Sequence, residues 1–574
     1  MKVKYYCLLI LTIACMMLCP SEVMAMHESG MTDDSMQVSG VVVDAAGQPV
    51  VGAFVLEKGT SNATLTDLDG KFTINVPVGG ILEVSSIGYV TQEVPVTGNV
   101  NISVTLEPDY QLLDEVVVVG YGTQKKVNLT GAVSVIKAYD LKDRSALSAS
   151  KMLQGSVPGL NITNRSGRPG QSATVNIRGL NSINGGSPLI LIDGVEGDLE
   201  RVNPADIESI SVIKDASSAA IYGAAGSFGV ILVTTKVGAD QDGKPVVRYS
   251  GRGGFTSPTT STSFETRGYY SVYLNNLFYS SYAGVPYAPY SDEDMMELWI
   301  RKDDKTENPA RPCIVVTNKN GRDVYNYYAN TDWYHHIFND IKPTTSHSIS
   351  FRGGTKKVQY MISGSYNLET GTFRVNPDKF SKYNLRSKLS FDVTNWLNIS
   401  NNTSFYSSNY DYPGQAGINN SFRKSMLHGL ASYQIVNYDG TAIYNTQYRS
   451  EGIMDGLMVI LTNDLHRNQD KVNYLSTMTE MTITPFKGFN IKANFTYNNT
   501  TSQSMNRQVN GKYSQIPGVI ETLNTGLFLD KLTENISFTN FKKFETYATY
   551  KNDSERGHNF KAMAGYTYET RHED

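Results

Sequence analysis

The sequence predicts a mainly β protein in three parts: an N-terminal immunoglobulin-like β-sandwich, an α+β domain, and an antiparallel transmembrane β-barrel. Three observations predict this fold. Short β-rich runs separated by turn residues fill residues 37–108. Glycines are dense from residue 131 to about residue 236, where short strands mix with helical pieces. From residue 245 onward, long strands alternate apolar and polar side chains.

The charge of the chain argues against one broad class of function. Lys and Arg number 51 against 55 Asp and Glu, which gives the 574 residues a net charge of −4. Nucleic-acid binders carry a basic stripe or patch, and no such stripe is visible in this sequence. We therefore expect no nucleic-acid partner.

The first 25 residues predict a signal peptide. Lys2 and Lys4 give a positive start, and residues 7–18 form an apolar run that is too short to span a bilayer as a helix. Small residues at Val23 and Ala25 predict cleavage after Ala25. We expect the mature protein to be exported.

The cysteines bear on two further possibilities. A lipid attached at Cys19 is the alternative to this cleavage, but Leu18 stands where a small residue is needed. Removal of residues 1–25 leaves the mature chain with Cys313 alone. A single cysteine excludes an intrachain disulfide and a metal cluster held by cysteines only.

The runs between residues 37 and 108 predict a small β-sandwich with no evident catalytic residues. Turn residues separate the runs at the regular spacing of immunoglobulin-like sandwiches. Asp67 and Asp69 before Gly70 are similar to the start of a calcium loop, but no glutamate follows at the required position. An Asp-Gly hairpin turn explains these residues, and we expect no metal here.

Residues 113–131, LDEVVVVGYGTQKKVNLTG, connect the sandwich with the glycine-rich domain. Val116–Val119 are four β-branched residues in a row, which favours an extended backbone. Asp114 and Glu115 precede them, and Gly120 follows. A short extended peptide flanked by charge and glycine suits addition to the sheet edge of another protein. An ordinary buried strand is the alternative.

The glycine-rich domain contains two charged residues of interest. Arg178 lies in the apolar run VNIRGL, where a solvated edge arginine is the simplest interpretation. Asp193 in IDGV is a turn residue or the partner of Arg178, and we favour the turn. Residues 223–229 superficially resemble a phosphate loop, but they lack the Gly-Lys-Ser/Thr ending, so we expect no nucleotide.

The long strands after residue 245 show the alternation of a membrane barrel with a wet lumen. Residues 383–393, 489–497 and 560–568 each place apolar side chains on one face and mostly polar ones on the other. In the first of them the apolar face consists of Tyr383, Leu385, Leu389, Phe391 and Val393, and the polar face of Lys382, Asn384, Arg386, Lys388, Ser390 and Asp392. Aromatic residues at the strand ends favour lipid interfaces over a soluble sandwich.

The connections between these strands are predicted to be alternately short and long, as in outer-membrane barrels. Short turns are expected near residues 353–356, 394–396, 485–488 and 552–557, and long connections near 257–345, 368–381, 409–470 and 501–534. From residue 245 onward this pattern predicts about nine strands.

The first long connection contains two clusters. Seven tyrosines precede Trp299, which we place in a short helix capped by Ser291; loop packing is favoured over ligand stacking for these rings. The tyrosines are Tyr269, Tyr270, Tyr273, Tyr279, Tyr282, Tyr287 and Tyr290. Asp332, Trp333, His335 and His336 suggest a metal or catalytic cluster. Adjacent histidines in a strand point to opposite faces and no nucleophile-base spacing is visible, so we expect neither.

Several motifs together resemble the SusC/RagA family of TonB-dependent outer-membrane transporters. Residues 113–131 look like the TonB box region of that family. The motifs that resemble its plug domain in order and spacing are KMLQGSVPG at 151–159, VNIRGL at 175–180, PLILIDGV at 188–195, NPADIESISVIKD at 203–215 and AAIYGAAGSFGVILVTTK at 219–236.

The resemblance implies a division into domains. It makes residues 37–108 a carboxypeptidase-regulatory-like sandwich, 112–126 the TonB box region, 127–238 the plug domain, and 245–574 the N-terminal part of a barrel. Barrels of this class close around the plug with about 22 strands. About nine strands cannot enclose a plug, and an open edge cannot face lipid. We expect the chain to be the N-terminal portion of a longer transporter or a truncated product.

The resemblance also implies roles for particular residues. Coupling to TonB falls to Asp114, Glu115, Val116, Val117, Val118, Val119 and Gly120. The structural residues of the plug are Arg178, Gly179, Asp193, Gly194, Lys214, Asp215, Tyr222 and Gly223. Within the barrel, Arg178 is then expected to be buried and paired with a carboxylate of the plug or wall. The family needs no catalytic residue, metal or cofactor.

The function implied by the resemblance is energy-coupled uptake of an oligosaccharide or peptide across the outer membrane. The implied partners are TonB on the periplasmic side, a SusD-like lipoprotein on the surface, and outer-membrane lipid. A receptor or signalling protein without transport and an inactive remnant are the alternatives. A secreted carbohydrate-active enzyme would need paired carboxylates, and no pair stands out in the sequence.

Overall fold

A computed structural model gives the fold of most of the chain. It describes residues 35–44, 47–60, 62–86, 89–96, 98, 101–107, 116–119, 122–125, 132–141, 144, 148–164, 166–179, 186–238, 244–259, 261–413, 428–444, 446, 456–461, 466–524, 528–553 and 559–574. The chain divides into two compact units, one of residues 1–116 with 125–128 and one of residues 117–124 with 129–574.

The first unit is a β-sandwich. Its strands are β1 (Ser35–Asp44), β2 (Phe54–Glu57), β3 (Ala63–Leu65), β4 (Lys71–Pro77), β5 (Ile81–Ser85), β6 (Gln92–Pro95) and β7 (Asn101–Leu106). They form a three-stranded sheet of order β4-β1-β7 and a four-stranded sheet of order β3-β2-β5-β6.

Alternating side chains build the sandwich core. In β4, Phe72, Ile74 and Val76 are buried and the residues between them are exposed. These side chains belong to one apolar cluster with Leu82 and Val84 of the other sheet, so the two sheets pack face to face. The predicted sandwich is confirmed.

The Asp-Gly motif of the sandwich is a turn. The backbone N–H of Gly70 donates to the carbonyl of Asp67 at 3.0 Å, and Oδ1 of Asp67 accepts from the N–H groups of Asp69 and Lys71 at 2.9 and 2.8 Å. These hydrogen bonds to the backbone of its own turn account for the aspartate at position 67.

The predicted coupling stretch contains two short strands. β8 (Val116–Val119) and β9 (Gly122–Lys125) form a two-stranded sheet. The extended backbone expected for the four valines is therefore present. Asp114, Glu115 and Gly120 lie outside the described residues.

The glycine-rich domain is an α+β fold. Its strands are β10 (Val133–Lys137), β11 (Leu160–Thr163), β12 (Thr174–Ile177), β13 (Leu189–Ile192), β14 (Val195–Glu196), β15 (Ile207–Ile213) and β16 (Val230–Thr235). Short helices are α1 (Ala138–Leu141), α2 (Ala149–Met152) and α3 (Ala216–Ala219), with 3₁₀ turns at Leu199–Arg201, Pro204–Asp206 and Ala220–Gly226. The main sheet has the order β10-β15-β16-β13-β14, and β11 pairs with β12.

The largest sheet of the described residues is an antiparallel wall of nine strands. They are β17 (Val246–Thr256), β20 (Lys342–Gly354), β21 (Val358–Thr370), β22 (Lys379–Thr394), β23 (Leu397–Pro413), β24 (Arg467–Phe486), β25 (Phe489–Gln508), β28 (Lys531–Asp553) and β29 (Asn559–Glu573). Each strand pairs with its sequence neighbour within this set. The count agrees with the predicted number, and the wall is part of a barrel.

The two faces of the wall have the polarity predicted for a membrane barrel. In β22 the side chains of Tyr383 and Leu385 are about half exposed, at 50% and 58%, whereas Lys382, Asn384 and Arg386 are buried. A soluble β-sandwich would bury the apolar face instead. The polar face of this wall lies against the glycine-rich domain, and the apolar face is left for lipid.

The connections alternate in length, which places the two ends of the wall. Residues 355–357, 395–396 and 487–488 are short turns, whereas 257–341, 371–378, 414–466 and 509–530 are the longer connections between the same strands. In outer-membrane barrels the short turns are periplasmic and the long loops external. No helix among the described residues has the length and apolar character needed to cross a membrane.

The long connections carry their own elements. These are α4 (Gly268–Ala283), α5 (Asp292–Arg301), β18 (Ile314–Lys319), β19 (Arg322–Tyr327), α6 (Trp333–Ile337), α7 (Leu457–Leu461), and the hairpin strands β26 (Gly511–Ile516) and β27 (Val519–Leu523). Ser291 caps α5 as predicted, because its Oγ accepts from the N–H of Asp294 while the Asp294 carboxylate accepts from Ser291.

One expectation for these loops is wrong. His335 and His336 lie on helix α6 and not on a strand, so the argument from opposite strand faces does not apply. His335 is instead held locally, with Nδ1 2.7 Å from Asp332 Oδ2 and Nε2 3.4 Å from Asp340 Oδ2. Among the described residues, no three His, Cys, Asp or Glu side chains are grouped so that they could hold a metal ion.

Candidate functional site: the contact between the glycine-rich domain and the wall

The centre of this contact is Asp193, in the two-residue turn between β13 and β14. Ile192 pairs with Val195 across the turn, and both turn residues have positive φ, 50° at Asp193 and 87° at Gly194. Asp-Gly is the sequence that such a type I′ hairpin prefers, because glycine adopts positive φ without strain. The turn predicted at this position is confirmed.

The carboxylate of Asp193 binds the inner face of the wall. Oδ2 lies 3.3 Å from Nη1 of Arg386 and accepts from Nδ2 of Asn402 at 2.9 Å, while Oδ1 lies 3.0 Å from Nζ of Lys388. Within its own domain Asp193 accepts from both the backbone N–H and the hydroxyl of Thr235. The three charged side chains are 7–13% exposed, so this is a buried ion cluster.

The surroundings of Asp193 favour its charged form. Burial by itself raises the pKa of the carboxyl group, but the positive charges of Lys388 and Arg386 and the hydrogen bonds from Thr235 outweigh it and hold the pKa below its usual value. A buried charge that is paired and hydrogen-bonded is tolerated, whereas an unpaired one is costly. The Asp193 cluster therefore couples the position of this turn to the wall.

A second buried carboxyl lies close by. Oδ2 of Asp206 accepts a hydrogen bond from the hydroxyl of Ser363 at 2.8 Å, which ties the 3₁₀ turn before β15 to strand β21. Here burial dominates and raises the pKa of Asp206, and the bond from Ser363 and the charge of Arg386 offset only part of the effect. Contact with the wall therefore accompanies opposite pKa shifts, downward for Asp193 and upward for Asp206.

Arg201 extends the contact toward β24. Its guanidinium carbon lies 4.5 Å from the ring centroid of Tyr474, and its carbonyl accepts from Nδ2 of Asn384 at 2.9 Å. Arg201, Tyr474, Arg386 and Asn402 also line a cavity of about 20 Å³. That volume holds about one water molecule, so the interface is closely packed and polar.

A separate contact lies near the end of the wall that carries the long connections. The guanidinium of Arg168, in the connection between β11 and β12, lies 4.3 Å from the ring centroid of Tyr410 and 5.1 Å from that of Tyr412. Nη2 of Arg168 also lies 3.4 Å from Oδ2 of Asp470. Nearby, a Cβ on Gly170 would overlap the ring of Phe380, so this connection approaches the wall as closely as glycine allows.

Replacing Arg168 by lysine is expected to loosen this connection. A lysine keeps the charge for Asp470 but loses the planar group that stacks on Tyr410 and Tyr412. A cation–π contact of this kind contributes about 1 kcal/mol, so amide exchange of residues 166–173 should accelerate about fivefold. The matched control is Arg178→Lys, at an exposed arginine of the same domain. Equal exchange in both variants and the wild type would remove any role for the stack.

The expectation of a buried ion pair at Arg178 is wrong. Arg178 is exposed, with φ of 58°, and its backbone N–H donates to the carbonyl of Gly159. A different buried ion pair is present instead, between Asp193 and the wall residues Arg386 and Lys388. Gly179 follows Arg178 with φ of 86°, so this pair forms a turn at the end of β12.

The remaining predicted residues of the domain have local contacts. Nζ of Lys214 donates to the carbonyl of Pro158 at 3.0 Å. Asp215 caps α3 by accepting from the N–H of Ser218; these hydrogen bonds outweigh its slight burial and lower the pKa of its carboxyl group. Tyr222 packs on a small apolar cluster, and Gly223 has φ of 59° within a kinked 3₁₀ turn. These contacts are all within the domain.

Sequence reasoning did not identify the residues of the wall that bind this domain. Arg386 and Lys388 were recognised only as members of the polar face of β22. Two cations at successive inward positions of one strand were the available signal, because buried cations need a carboxylate partner. Asn402 and Arg168 gave no comparable signal.

In this chain the glycine-rich domain lies on the polar face of a β-wall and is held there by buried ion pairs. These two features define the class of plugged outer-membrane barrels. Two family models match this chain: the TonB-dependent receptor plug domain at residues 125–230, and the CarboxypepD_reg-like domain at residues 38–118.

Relatives and solved structures agree with these matches. The TonB-dependent receptor SusC of Bacteroides thetaiotaomicron is 37% identical over 350 residues, which is 59% of this chain and 30% of that protein. The TonB-dependent receptor P39 of Formosa agariphila is 30% identical over 514 residues, 88% of this chain and 44% of that protein. The RagAB peptide importer in its open-open state superposes with a TM-score of 0.59 at 22% identity, over 80% of this chain and 50% of that one.

The two domain matches and these relatives support a TonB-dependent receptor of the SusC/RagA type, and receptors of this type are outer-membrane proteins. The chain spans less than half the length of the curated relatives named above. The glycine-rich domain is accordingly called the plug below.

Proposed function

We propose that this chain is the N-terminal part of a transporter that imports a large nutrient, an oligosaccharide or a peptide, across the outer membrane. The observation that carries the proposal is the plug held against the lumen face of the wall by the Asp193 cluster. Such a plug closes the path until it is rearranged, so transport requires an input of energy.

The input of energy is assigned to the stretch with the four valines. Val116–Val119 form an extended strand, the conformation that adds to the sheet edge of another protein through backbone hydrogen bonds. TonB is the proposed partner. It would bind this strand and the neighbouring residues Asp114, Glu115 and Gly120. The proton gradient of the inner membrane supplies the energy through TonB, and no cofactor is needed.

A SusD-like surface lipoprotein is the second proposed partner, on the side of the long connections. RagAB, which resembles this chain in fold, is by its description a peptide importer. Peptide and oligosaccharide both remain in the proposal, because substrate choice depends on external loops.

Uptake by living cells tests this proposal. Cells that carry the complete gene should accumulate a labelled oligosaccharide or peptide mixture, and accumulation should stop on deletion of the gene, deletion of TonB or collapse of the proton gradient. Surface binding should survive the last two treatments. Binding with no uptake in any strain, together with loss of gene induction on deletion of residues 37–108, would instead favour a receptor without transport.

A further inference from the structure

The connection between β21 and β22 is folded around a buried carboxyl group. Asp378 is the last residue of this connection, 371–378, and is 0% exposed. Its backbone carbonyl accepts from the N–H of Gly371 at 2.8 Å, and its Oδ1 accepts from the N–H of Phe373 at 3.3 Å. A Cβ on Gly371 would overlap the carboxylate. The shape of the connection therefore depends on how this one side chain is held.

A hydroxyl group of the wall holds the other oxygen of this carboxyl. The Tyr410 hydroxyl of β23 donates to Oδ2 of Asp378 at 2.8 Å, and Tyr410 is itself buried. Burial raises the pKa of Asp378, and the hydrogen bonds from Tyr410 and Phe373 offset only part of that effect. Because removal of a hydrogen-bond donor from a buried polar group is costly, the Tyr410 hydroxyl constrains the connection strongly.

The ring that carries this hydroxyl also contacts the plug. The guanidinium carbon of Arg168 lies 4.3 Å from the centroid of the Tyr410 ring. A second contact runs beside the first: Nζ of Lys342 donates to the carbonyl of Gly167 at 3.3 Å, and its positive charge acts to lower the pKa of Asp378. Tyr410 thus contacts the plug with its ring and the connection with its hydroxyl.

The same connection is joined to the longest connection of the wall. Two backbone hydrogen bonds of 2.7 Å link residues 371–378 to residues 257–341, at Ile337 and Asn339. Long connections of outer-membrane barrels are external. A continuous series of contacts therefore leads from Arg168 of the plug to two external connections.

We propose that Tyr410 and Asp378 are positioning residues that couple the seating of the plug to the shape of the connection 371–378. While Arg168 packs on the Tyr410 ring, the hydroxyl is aimed at Asp378 and the connection is closed. Movement of the plug removes the support of the ring and releases the connection on the outer side. The use of this coupling in transport rests on the proposed function, and the coupling is reciprocal.

A double-mutant cycle in the complete receptor tests the coupling, with amide exchange of Phe373 and Arg374 as the readout. Arg168→Ala should accelerate exchange of these amides about tenfold, because the Tyr410 ring loses its cation. Y410F keeps the ring but lacks the hydroxyl, and should also accelerate exchange about tenfold. The double variant R168A/Y410F should exchange no faster than Y410F, because the link is already broken.

The matched control is Tyr412→Phe. The Tyr412 ring stacks on that of Tyr410 at 4.6 Å and also lies near Arg168, but its hydroxyl is placed toward Asp470. This variant should exchange at the wild-type rate. The amide of Asp392 is bonded at the opposite end of the wall and is the internal reference. Acceleration there in R168A or Y410F would reveal a general loosening and overturn the coupling.

Two further results would overturn it: no acceleration in R168A, or equal acceleration by R168A with and without the Tyr410 hydroxyl. From the other side, Phe373→Ala should accelerate exchange of residues 166–173 about threefold, but not in Y410F. Equal acceleration in both backgrounds would contradict the coupling as well. Failure of the proposed function is distinguishable, since a receptor with the expected exchange that imports nothing would refute transport and keep the coupling.

Discussion

Replacing Asp193 by asparagine (D193N) is expected to release the plug from the wall. The substitution removes the ion-pair partner of Arg386 and Lys388 while both stay buried, and removing one partner of a buried ion pair costs about 3 kcal/mol or more. Asparagine tolerates the positive φ of this turn and is nearly isosteric with aspartate. Any destabilisation in D193N therefore reports the loss of the negative charge. Amide exchange of Leu189–Ile192 in the complete receptor should accelerate about a hundredfold.

The matched control for D193N is Glu196→Gln on the next strand. Glu196 pairs with Arg571 of β29 at 3.3 Å, but both side chains are about half exposed, and such pairs contribute about 0–1 kcal/mol. Exchange should therefore change little in this variant. Similar exchange rates in D193N and the wild type would show that the Asp193 cluster does not hold the plug.

The same cluster predicts a pH dependence with a definite sign. The folded-state pKa of Asp193 is lowered, so the charged carboxylate stabilises the folded state. This contribution is complete above the unfolded pKa of about 3.9 and is lost as pH falls through the lower folded pKa. The difference in plug exchange between D193N and the wild type should be constant near neutral pH and shrink below about pH 4. A difference that grows on acidification would contradict the assignment.

The wall was predictable because its signal is periodic. In β22 the polar side chains Lys382, Asn384 and Arg386 are buried and Tyr383 and Leu385 are exposed, and this assignment follows from a period of two along the strand. Turn chemistry likewise predicted Asp193-Gly194 and the cap at Ser291. Both patterns are local, so the sequence of one strand or one turn is enough to predict the structure at that place.

The contacts of the site were not predictable to the same degree, because they join distant positions. Asp193 and Asn402 are 209 residues apart in the chain, and no local pattern relates them. The buried pair was therefore expected at Arg178, which is exposed. The helix at His335 and His336 was missed for a different reason: it has one turn, capped by Asp332, and too few residues to show a helical period.

Proline at position 118 (V118P) is expected to abolish uptake while leaving surface binding intact. Val118 lies in β8, the strand proposed to add to the sheet edge of TonB. Proline lacks the backbone N–H that a β-ladder requires, and backbone hydrogen bonds supply most of the affinity in this mode of recognition. Val117→Pro should act in the same way. The measurement is accumulation of the labelled substrate by cells, with surface-bound label scored separately after cold incubation.

Val118→Thr is the matched control, since threonine keeps both the N–H and the β-branched shape. Uptake by this variant should stay near the wild-type level, because strand addition depends on the backbone more than on this side chain. Loss of uptake in both variants would mean that TonB reads side chains at this position. Unchanged uptake in V118P would refute the coupling role of Val116–Val119. Since β8 also pairs with β9, direct binding of V118P to purified TonB distinguishes lost recognition from a disturbed hairpin: a variant that still binds TonB but transports nothing would assign the defect to the hairpin.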